Sequence, residues 1–214
     1  MQRREILKHL AALGGMAVVG PLVMAQGGAA SFTVLANPQP KEVKGKIEVI
    51  EFFHYGCPHC RAFDPLLEQW VKTLPPDVVF SRVPAIWGNP QLKSLAQLYY
   101  AEEATGEVAR LHGKVFGALQ DDRVPLHTES GVLEWVAKQG VDAKKFGDAY
   151  KSFGVGSRLQ RADQLARAYQ IQGVPTLAID GKYLTSASLA GSHANALKVA
   201  DELIARARKE GGRG

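Results

Sequence analysis

The amino-acid sequence predicts an α/β protein in which a helical block interrupts one sheet. Strand-forming residues dominate positions 47–53 and 78–83, and positions 176–186 show two short strand patterns joined by Asp180-Gly181, a typical hairpin turn. Between these groups, from 89 to 170, apolar residues recur at helical spacing. The late hairpin has to pair with the early strands to cover its edges, so we expect both ends of the chain to share one core.

The remaining elements can be placed in order along the chain. Phe32 and Val34 predict a short leading strand, and a Pro-rich surface segment follows it. After the first long strand, apolar residues at helical spacing predict a helix that opens at residue 58, and Pro84 ends the next strand. An amphipathic pattern at 193–208 predicts a C-terminal helix.

These patterns divide the chain into two domains. Residues 26–88 and 171–214 are assigned to one α/β domain, because its strands lie on both sides of the helical block. Residues 89–170 are assigned to an inserted helical domain. We expect a monomer.

Composition and charge are those of an ordinary globular protein. The 214 residues are 46% hydrophobic and 22% charged, and the formal net charge is +5. Arg3, Arg4 and Lys8, against Glu5, account for two of these charges, so the rest of the chain carries only +3. Such a small excess does not indicate a nucleic acid partner.

The N-terminus has the pattern of an export signal. Basic residues precede an apolar stretch at 10–24, and small residues allow cleavage after Ala25 or, as second choice, after Ala30. We therefore assign 1–25 to a signal peptide, in which Arg3-Arg4 resembles a twin-arginine signal. A retained membrane anchor is the alternative, but glycines and a proline interrupt the stretch. An exported protein enters an oxidising compartment, where a disulfide can work.

The two cysteines of the chain, Cys57 and Cys60, flank Pro58 and His59 where a predicted strand meets a predicted helix. A thiol at a helix N-terminus faces unpaired backbone N–H groups and the positive end of the helix dipole, which favour the thiolate. Proline suits the first helical turn, and a histidine beside the sulfur lowers the cysteine pKa further. We therefore predict an easily reduced, strongly oxidising disulfide.

Two other roles for the cysteines are weaker. Half of a zinc site would need further ligands, but no second cysteine pair follows, and the other histidines are scattered. A purely structural disulfide would close a very short loop and constrain the unfolded chain little. Neither a metal site nor a purely structural disulfide is therefore expected at Cys57 and Cys60.

Glu51 is a further candidate, because strand alternation places it on one face with Ile47, Val49 and Phe53. A carboxyl buried there would have a raised pKa and could accept a proton from Cys60. The alternative is an exposed Glu51 at the mouth of the fold that only aids solubility.

Three stretches together resemble a known family. They are Cys57-Pro58-His59-Cys60 after Glu51-Phe52-Phe53, then Gly173-Val174-Pro175-Thr176, and Asp180-Gly181-Lys182-Tyr183. The chain resembles the DsbA family of periplasmic thiol oxidases, which have a thioredoxin fold, over nearly the whole mature length. A strongly lowered cysteine pKa is already known for that family, so the argument from the helix terminus agrees with it and is not independent of it.

The resemblance implies roles for individual residues. Cys57 is the exposed nucleophile, Cys60 its buried partner, and His59 the stabiliser of the Cys57 thiolate. Val174-Pro175 is a cis peptide bond facing the disulfide, where substrate binds; an ordinary trans proline that starts a strand is the alternative.

The resemblance also implies partners and a compartment. The substrates are reduced exported proteins, and a DsbB-like membrane quinone reductase regenerates the disulfide. The protein works in the periplasm with no cofactor apart from the redox-active Cys57-Cys60 pair. His54, Tyr55 and the segment 84–90 with Trp87 depart from the family's usual pattern, and they either line a peptide groove or simply pack.

Three rival functions remain at this point. A disulfide isomerase or reductase uses the same sulfurs, but it needs a dimer, and no separate dimerisation domain precedes the cysteines. A periplasmic holdase with an incidental disulfide would still bind peptides without Cys57. A glutathione-using isomerase usually has serine at the nucleophile position, which the cysteine pair argues against.

Overall fold

The structure is a computed structural model that describes residues 30–211, and the export signal predicted at 1–25 lies outside the described residues. Within them, five strands form one sheet in the order β1-β5-β4-β2-β3. The strands are β1 (Thr33–Val34), β2 (Ile47–Phe53), β3 (Val78–Pro84), β4 (Thr176–Ile179) and β5 (Tyr183–Thr185). The early and late strands share one sheet, as the sequence predicts.

Helices cover the sheet and fill the chain between β3 and β4. The helices are α1 (Pro58–Val71), α2 (Pro90–Thr105), α3 (Val108–Gln120), α4 (Glu129–Lys138), α5 (Ala143–Tyr150), α6 (Phe153–Ala168), α7 (Ala187–Ala190) and α8 (His193–Gly211). The five helices α2–α6 lie where the sequence predicts the helical insertion. The short helix α7 has no counterpart in the sequence prediction. The division into domains at 89 and 170 stays a prediction.

Strand β2 is the centre of the sheet, parallel to β3 and antiparallel to β4. All its residues are buried, because helices and loops cover both faces. Its two faces belong to two apolar clusters: Ile50 and Phe52 pack towards the helical insertion, whereas Ile47 and Val49 pack with residues of α1 and α8. The C-terminal end of β2, which the cysteines follow, is thereby packed on both faces.

The hairpin between β4 and β5 confirms the prediction at Asp180-Gly181. Both residues have positive φ angles, 52° and 69°, which the turn requires. A Cβ at Gly181 would lie 2.2 Å from the backbone oxygen of Gln39, so only glycine fits there. The hairpin also pairs with the leading strand β1, which places the N-terminal segment beside β5.

Candidate active site

Helix α1 begins at the cysteine pair. Cys57 is its N-cap residue, with an extended backbone, and Pro58 occupies the first turn. The Cys57 Sγ accepts a hydrogen bond from the Cys60 backbone N–H at 3.4 Å, which replaces the oxygen cap of an ordinary helix. The Cys57 N–H donates to the His54 carbonyl at 3.0 Å and closes the turn that follows β2. Sulfur therefore stands directly at the positive end of the helix.

The two thiols have opposite environments, and both are free in this structure. The pKa of Cys57 is lowered from 9.0 to about 6, first by the hydrogen bond from the Cys60 thiol and then by backbone N–H groups and the His59 charge. Burial raises the pKa of Cys60 well above its usual range. Cys57 retains 8% exposure and Cys60 none. The exposed nucleophile expected at Cys57 is therefore buried in the structure, because the cysteine and proline loops pack around it. The two sulfurs differ instead in that a thiolate is stabilised at Cys57 and disfavoured at Cys60.

His59 lies exposed on the first turn of α1, beside the thiolate whose pKa it helps to lower. Its ring stands 6.5 Å from the ring of His193, centroid to centroid, and His193 packs on Phe63 at 5.2 Å. Burial lowers the pKa of His193, and the nearby His59 charge adds to this effect. Sequence reasoning treated His193 as one of the scattered histidines; no local pattern signals that α8 begins beside His59 and Phe63 of α1.

The loop before β4 brings Val174 and Pro175 to the sulfur. The peptide bond between them is cis. The Cys57 Sγ lies 3.5 Å from the Val174 carbonyl oxygen, to which the protonated thiol donates. The two residues also line an open cavity of about 760 Å³ together with His59 and His193. Residues far apart in sequence therefore meet at one side of Cys57.

Glu51 is buried in the middle of the sheet, and burial raises its pKa from 4.5 to about 7 against the opposing effect of Arg82. The Arg82 Nε donates to the Glu51 Oε2 at 2.9 Å. Arg82 Nη2 also contacts Glu68 at 2.6 Å and Asp64 at 3.5 Å. The Glu51 charge is among the causes that raise the Cys60 pKa, so the carboxyl and the buried thiol interact electrostatically.

Gln120, the last residue of α3, ties the helical insertion to the cysteine loop. Its Nε2 donates to the Tyr55 carbonyl at 2.8 Å and to the Cys57 carbonyl at 3.2 Å. Next to Gln120, Asp121 forms a bidentate ion pair with Arg61 of α1. Sequence analysis missed the hydrogen bonds of Gln120 to the cysteine loop, because a glutamine at a helix end carries no recognisable signal.

A buried polar cluster lies behind the site. The Tyr55 hydroxyl contacts both carboxyl oxygens of Glu102, at 2.9 and 3.1 Å, and His112 Nδ1 at 2.8 Å. The other ring nitrogen of His112 lies 3.2 Å from Asp64 Oδ1. Burial raises the pKa of Glu102 and lowers that of His112, which favours the neutral form of both groups. The cluster joins α2 and α3 to the loop that carries Cys57.

Within residues 30–211, no group of three or more His, Cys, Asp or Glu side chains could hold a metal ion. Among the described helices, none has the length and apolar character needed to cross a bilayer.

A cysteine pair where a central strand meets a helix, faced by a proline loop across the sulfur, defines the class of thioredoxin-fold thiol–disulfide oxidoreductases. The family model described as a DSBA-like thioredoxin domain matches residues 77–198. The chain belongs to the DsbA family. Both the family resemblance and the thioredoxin fold expected from the sequence are thereby confirmed.

Named relatives support this assignment along the chain. The thiol:disulfide interchange protein DsbA of Bordetella pertussis is 46% identical over 200 residues, which span 93% of this chain and 94% of that protein. The Pseudomonas aeruginosa protein of the same name is 39% identical over 83% of each chain. The crystal structure of Pseudomonas aeruginosa DsbA superposes with a TM-score of 0.83 at 38% identity, covering 86% of this chain and 95% of that one.

Proposed function

We propose that this protein oxidises pairs of cysteine thiols in exported proteins by donating a disulfide between Cys57 and Cys60. The asymmetry of the two sulfurs carries this proposal, because a thiolate with a pKa of about 6 is a far better leaving group than an ordinary thiol. Stabilising the reduced form in this way makes the disulfide a strong oxidant. Membership of the DsbA family supports the same activity.

The first step forms a mixed disulfide. A substrate thiolate attacks the Cys57 sulfur, a new substrate–Cys57 bond forms, and the Cys57–Cys60 bond breaks. The bonding electrons pass to Cys60, which leaves as a thiolate. Since burial makes a thiolate at Cys60 unfavourable, this sulfur must take up a proton.

Glu51, whose charge acts on Cys60, is the candidate for that proton transfer. With a pKa of about 7, it is partly protonated near neutral pH and can give a proton to Cys60 or accept one when the disulfide is restored. Arg82 stays charged beside it and stabilises the carboxylate that results. Glu51 therefore acts as a proton relay in this proposal.

The second step releases the product. The second substrate thiolate attacks the substrate sulfur of the mixed disulfide and expels Cys57 as its stabilised thiolate. The substrate loses two electrons and gains a disulfide, and the protein is left with Cys57 and Cys60 reduced. His59 supports the expelled thiolate through its backbone N–H and its charge.

Val174 and Pro175 are proposed to hold the substrate chain. The Val174 carbonyl lies beside the Cys57 sulfur, and the cavity that these residues line is open to solvent. Backbone groups at such a loop can pair with an extended peptide whatever its side chains are. This arrangement suits an enzyme that accepts many unfolded proteins.

Location and regeneration complete the proposal. The signal pattern at 1–25 would direct the chain to the periplasm, the compartment that the family resemblance implies. A DsbB-like membrane quinone reductase would then take the two electrons from the Cys57/Cys60 dithiol. The protein needs no cofactor beyond its own disulfide in this scheme.

The decisive experiment is the redox equilibrium of the purified mature protein with glutathione, followed by thiol trapping. We expect half-oxidation only at strongly oxidising ratios of glutathione disulfide to glutathione. A disulfide that persists in strongly reducing buffer would contradict the oxidase proposal and favour a reductase or a structural disulfide. Cys57→Ser, which cannot form the disulfide, serves as the control.

A further inference from the structure

His193 packs the start of α8 against the first turns of α1. Its half-buried ring stands 5.2 Å from the Phe63 ring and 6.5 Å from the His59 ring, centroid to centroid. His59 and Phe63 are four residues apart on α1, so their side chains lie on one face of that helix. His193 therefore contacts the face of α1 that carries the histidine of the cysteine motif.

Hydrogen bonds fix the position of His193 at the start of α8. The preceding residue, Ser192, accepts the Asn195 N–H through its Oγ at 3.1 Å and the Ala196 N–H through its carbonyl at 2.9 Å. The Asn195 side chain donates to the Ala190 carbonyl at 3.2 Å and ties the first turn of α8 to α7. The His193 ring therefore projects from an anchored helix start.

The surroundings of His193 favour its neutral form. A positive charge is unfavourable at a helix N-terminus, where backbone N–H groups are unpaired. Burial lowers the pKa of His193, and the charge of His59, the titratable group that faces it from α1, lowers it further. The positive charge of the histidine pair therefore lies on His59, whose charge also acts on the Cys57 sulfur.

The His59 side chain is exposed on α1, so its position needs a cause. An exposed side chain exchanges among rotamers on the picosecond to nanosecond timescale. A charge that moves in this way interacts weakly with a fixed partner, because the solvent screens it and ordering it costs entropy. Contact with the His193 ring restricts the His59 ring to the side of α1 that faces the cavity at Pro175, which both histidines line.

We propose that His193 is a positioning residue, which holds the His59 ring beside the Cys57 thiolate and leaves the positive charge of the histidine pair on His59. The inference rests on the proposed function and adds a residue that affects how strongly the disulfide oxidises. The two ring contacts carry it, because they join a helix near the end of the chain to the turn that begins at Cys57.

Electrostatics gives the direction and the size of the effect. The hydrogen bond from the Cys60 thiol contributes most to the low pKa of Cys57, and the His59 charge adds a smaller part. Without His193, the His59 ring is free to move away, so the Cys57 thiolate loses that smaller part. The reduced protein is then less stable relative to the disulfide, which becomes a weaker oxidant. The effect is small because His59 is exposed to solvent.

The test measures alkylation of the reduced protein as a function of pH in wild type, His193→Ala and His193→Phe. We expect the midpoint of Cys57 alkylation to rise by about 0.4 pH unit in His193→Ala. At pH 7, the ratio of glutathione disulfide to glutathione that gives half-oxidation should fall about twofold. His193→Phe keeps an uncharged ring against His59 and Phe63, so it should retain the wild-type midpoint.

A double variant tests whether His193 acts through His59. His59→Ala should raise the midpoint of Cys57 alkylation by itself, and the addition of His193→Ala should change nothing further. His59→Ala should also raise the pKa of His193 measured by NMR, since the charge that lowers it is gone. A further rise of the Cys57 midpoint in the double variant would overturn the proposal, because His193 would then act independently of His59.

Asn195→Ala is the matched control. Asn195 lies in the same turn of α8, and its side chain contacts Ala190 of α7 and neither of the two α1 rings. We expect the wild-type midpoint. A midpoint raised as much as in His193→Ala would assign the effect to a general loosening of α8 and overturn the proposal. An unchanged midpoint in His193→Ala, or a His193→Phe variant that behaves like His193→Ala, would overturn it equally.

The proposed function and the role of His193 can fail separately in these measurements. A wild-type disulfide that persists in strongly reducing buffer would refute the oxidase function, whereas the alkylation midpoints would still decide whether His193 positions His59. A strongly oxidising wild-type disulfide with equal midpoints in wild type and His193→Ala would overturn the role of His193 alone.

Discussion

Glu51 on β2 and Arg82 on β3 are direct neighbours in the parallel register of the sheet, and Arg82 Nε donates to Glu51 Oε2 at 2.9 Å. Both side chains are buried. A buried acid paired with a buried base would ordinarily be ionised, yet the pKa of Glu51 is raised to about 7 because burial outweighs the attraction of Arg82. The carboxyl can therefore change its protonation state near neutral pH.

This leads to a first prediction for catalysis. Glu51→Gln removes the exchangeable proton but keeps an oxygen that can accept from Arg82, so we expect disulfide transfer to slow by at least about tenfold. Stopped-flow tryptophan fluorescence with a short cysteine peptide measures the rate. Glu68→Gln is the matched control, since Glu68 also contacts Arg82 but is half-exposed, and we expect it to react normally. Unchanged kinetics in Glu51→Gln would refute the proton relay.

The same carboxyl predicts a pH dependence of stability. Between pH 4.5 and about 7, folded Glu51 holds a proton that the unfolded chain has lost, so its contribution to stability is lost as the pH rises. Relative to Glu51→Gln, the free energy of unfolding of the wild type should fall by on the order of 3 kcal/mol from about pH 4 to about pH 8.

Urea unfolding of both reduced proteins at several pH values measures this difference. The titration of Cys57 affects both proteins alike and cancels in the comparison. A difference that stays constant with pH would mean that Glu51 keeps one protonation state throughout.

A third prediction concerns the source of the low Cys57 pKa. Alkylation of the reduced protein should be half-maximal at about pH 6, since only the thiolate reacts. The hydrogen bond from the Cys60 thiol is the largest cause of this low value, so Cys60→Ala should move the midpoint upward. Cys60→Ser keeps an O–H donor and should retain a lower midpoint than Cys60→Ala. If wild type, Cys60→Ala and Cys60→Ser all had the same midpoint, the low pKa of Cys57 would come from the helix terminus and His59 and not from the Cys60 thiol.

The same Cys60→Ala variant should accumulate mixed disulfides with disulfide-bonded proteins: the Cys57 thiolate attacks the protein disulfide, the second protein sulfur leaves as a thiolate, and Cys60, which would attack Cys57 and free the protein, is absent. Gel electrophoresis after acid trapping would show these complexes as reducible bands. Their absence, with normal alkylation of Cys57, would show that Cys57 does not attack or accept substrate sulfur.

A further prediction concerns Gln120, which holds the carbonyl groups of Tyr55 and Cys57. Gln120→Met keeps the length of the side chain but removes both hydrogen bonds, so the free energy of unfolding should fall by about 1–2 kcal/mol. Disulfide transfer should slow as well, because the loop that carries Cys57 is no longer held. Gln91→Met, on the exposed first turn of α2, is the control. Equal stability of the two variants would show that water replaces the Gln120 contacts fully.

The local features of the site could be predicted from the sequence. The position of Cys57 and Cys60 at a strand–helix junction follows from neighbouring residues, because alternation and helical spacing are visible within one window. The hairpin at Asp180-Gly181 is equally local. The pairing of this hairpin with the early strands follows from the need to cover sheet edges, although the hairpin and those strands are far apart in the sequence.

Contacts set by register and packing could not be predicted in this way. Alternation indicates that Glu51 and Arg82 each lie in a strand, but only the parallel register makes them neighbours. Gln120 reaches the cysteine loop through the packing of α3, and His193 reaches α1 through the packing of α8, and no short sequence pattern encodes either contact. Packing also decides that Phe153, the first residue of α6, is 90% exposed. Its helical spacing in the sequence predicts a core position instead.

The insertion of α2–α6 between β3 and β4 also determines when the site can exist. Val49 pairs with Ile179 across the whole insertion, so this pairing is a contact of very high sequence separation and forms late compared with the local helices. During synthesis from the N-terminus, Cys57 emerges long before Val174 and Pro175. Until β4 has been made, the edge of β2 that pairs with β4 stays uncovered. The sulfur pair therefore gains its partner loop only at the end of folding, so appearance of the full activity is itself a report that the chain has folded to completion.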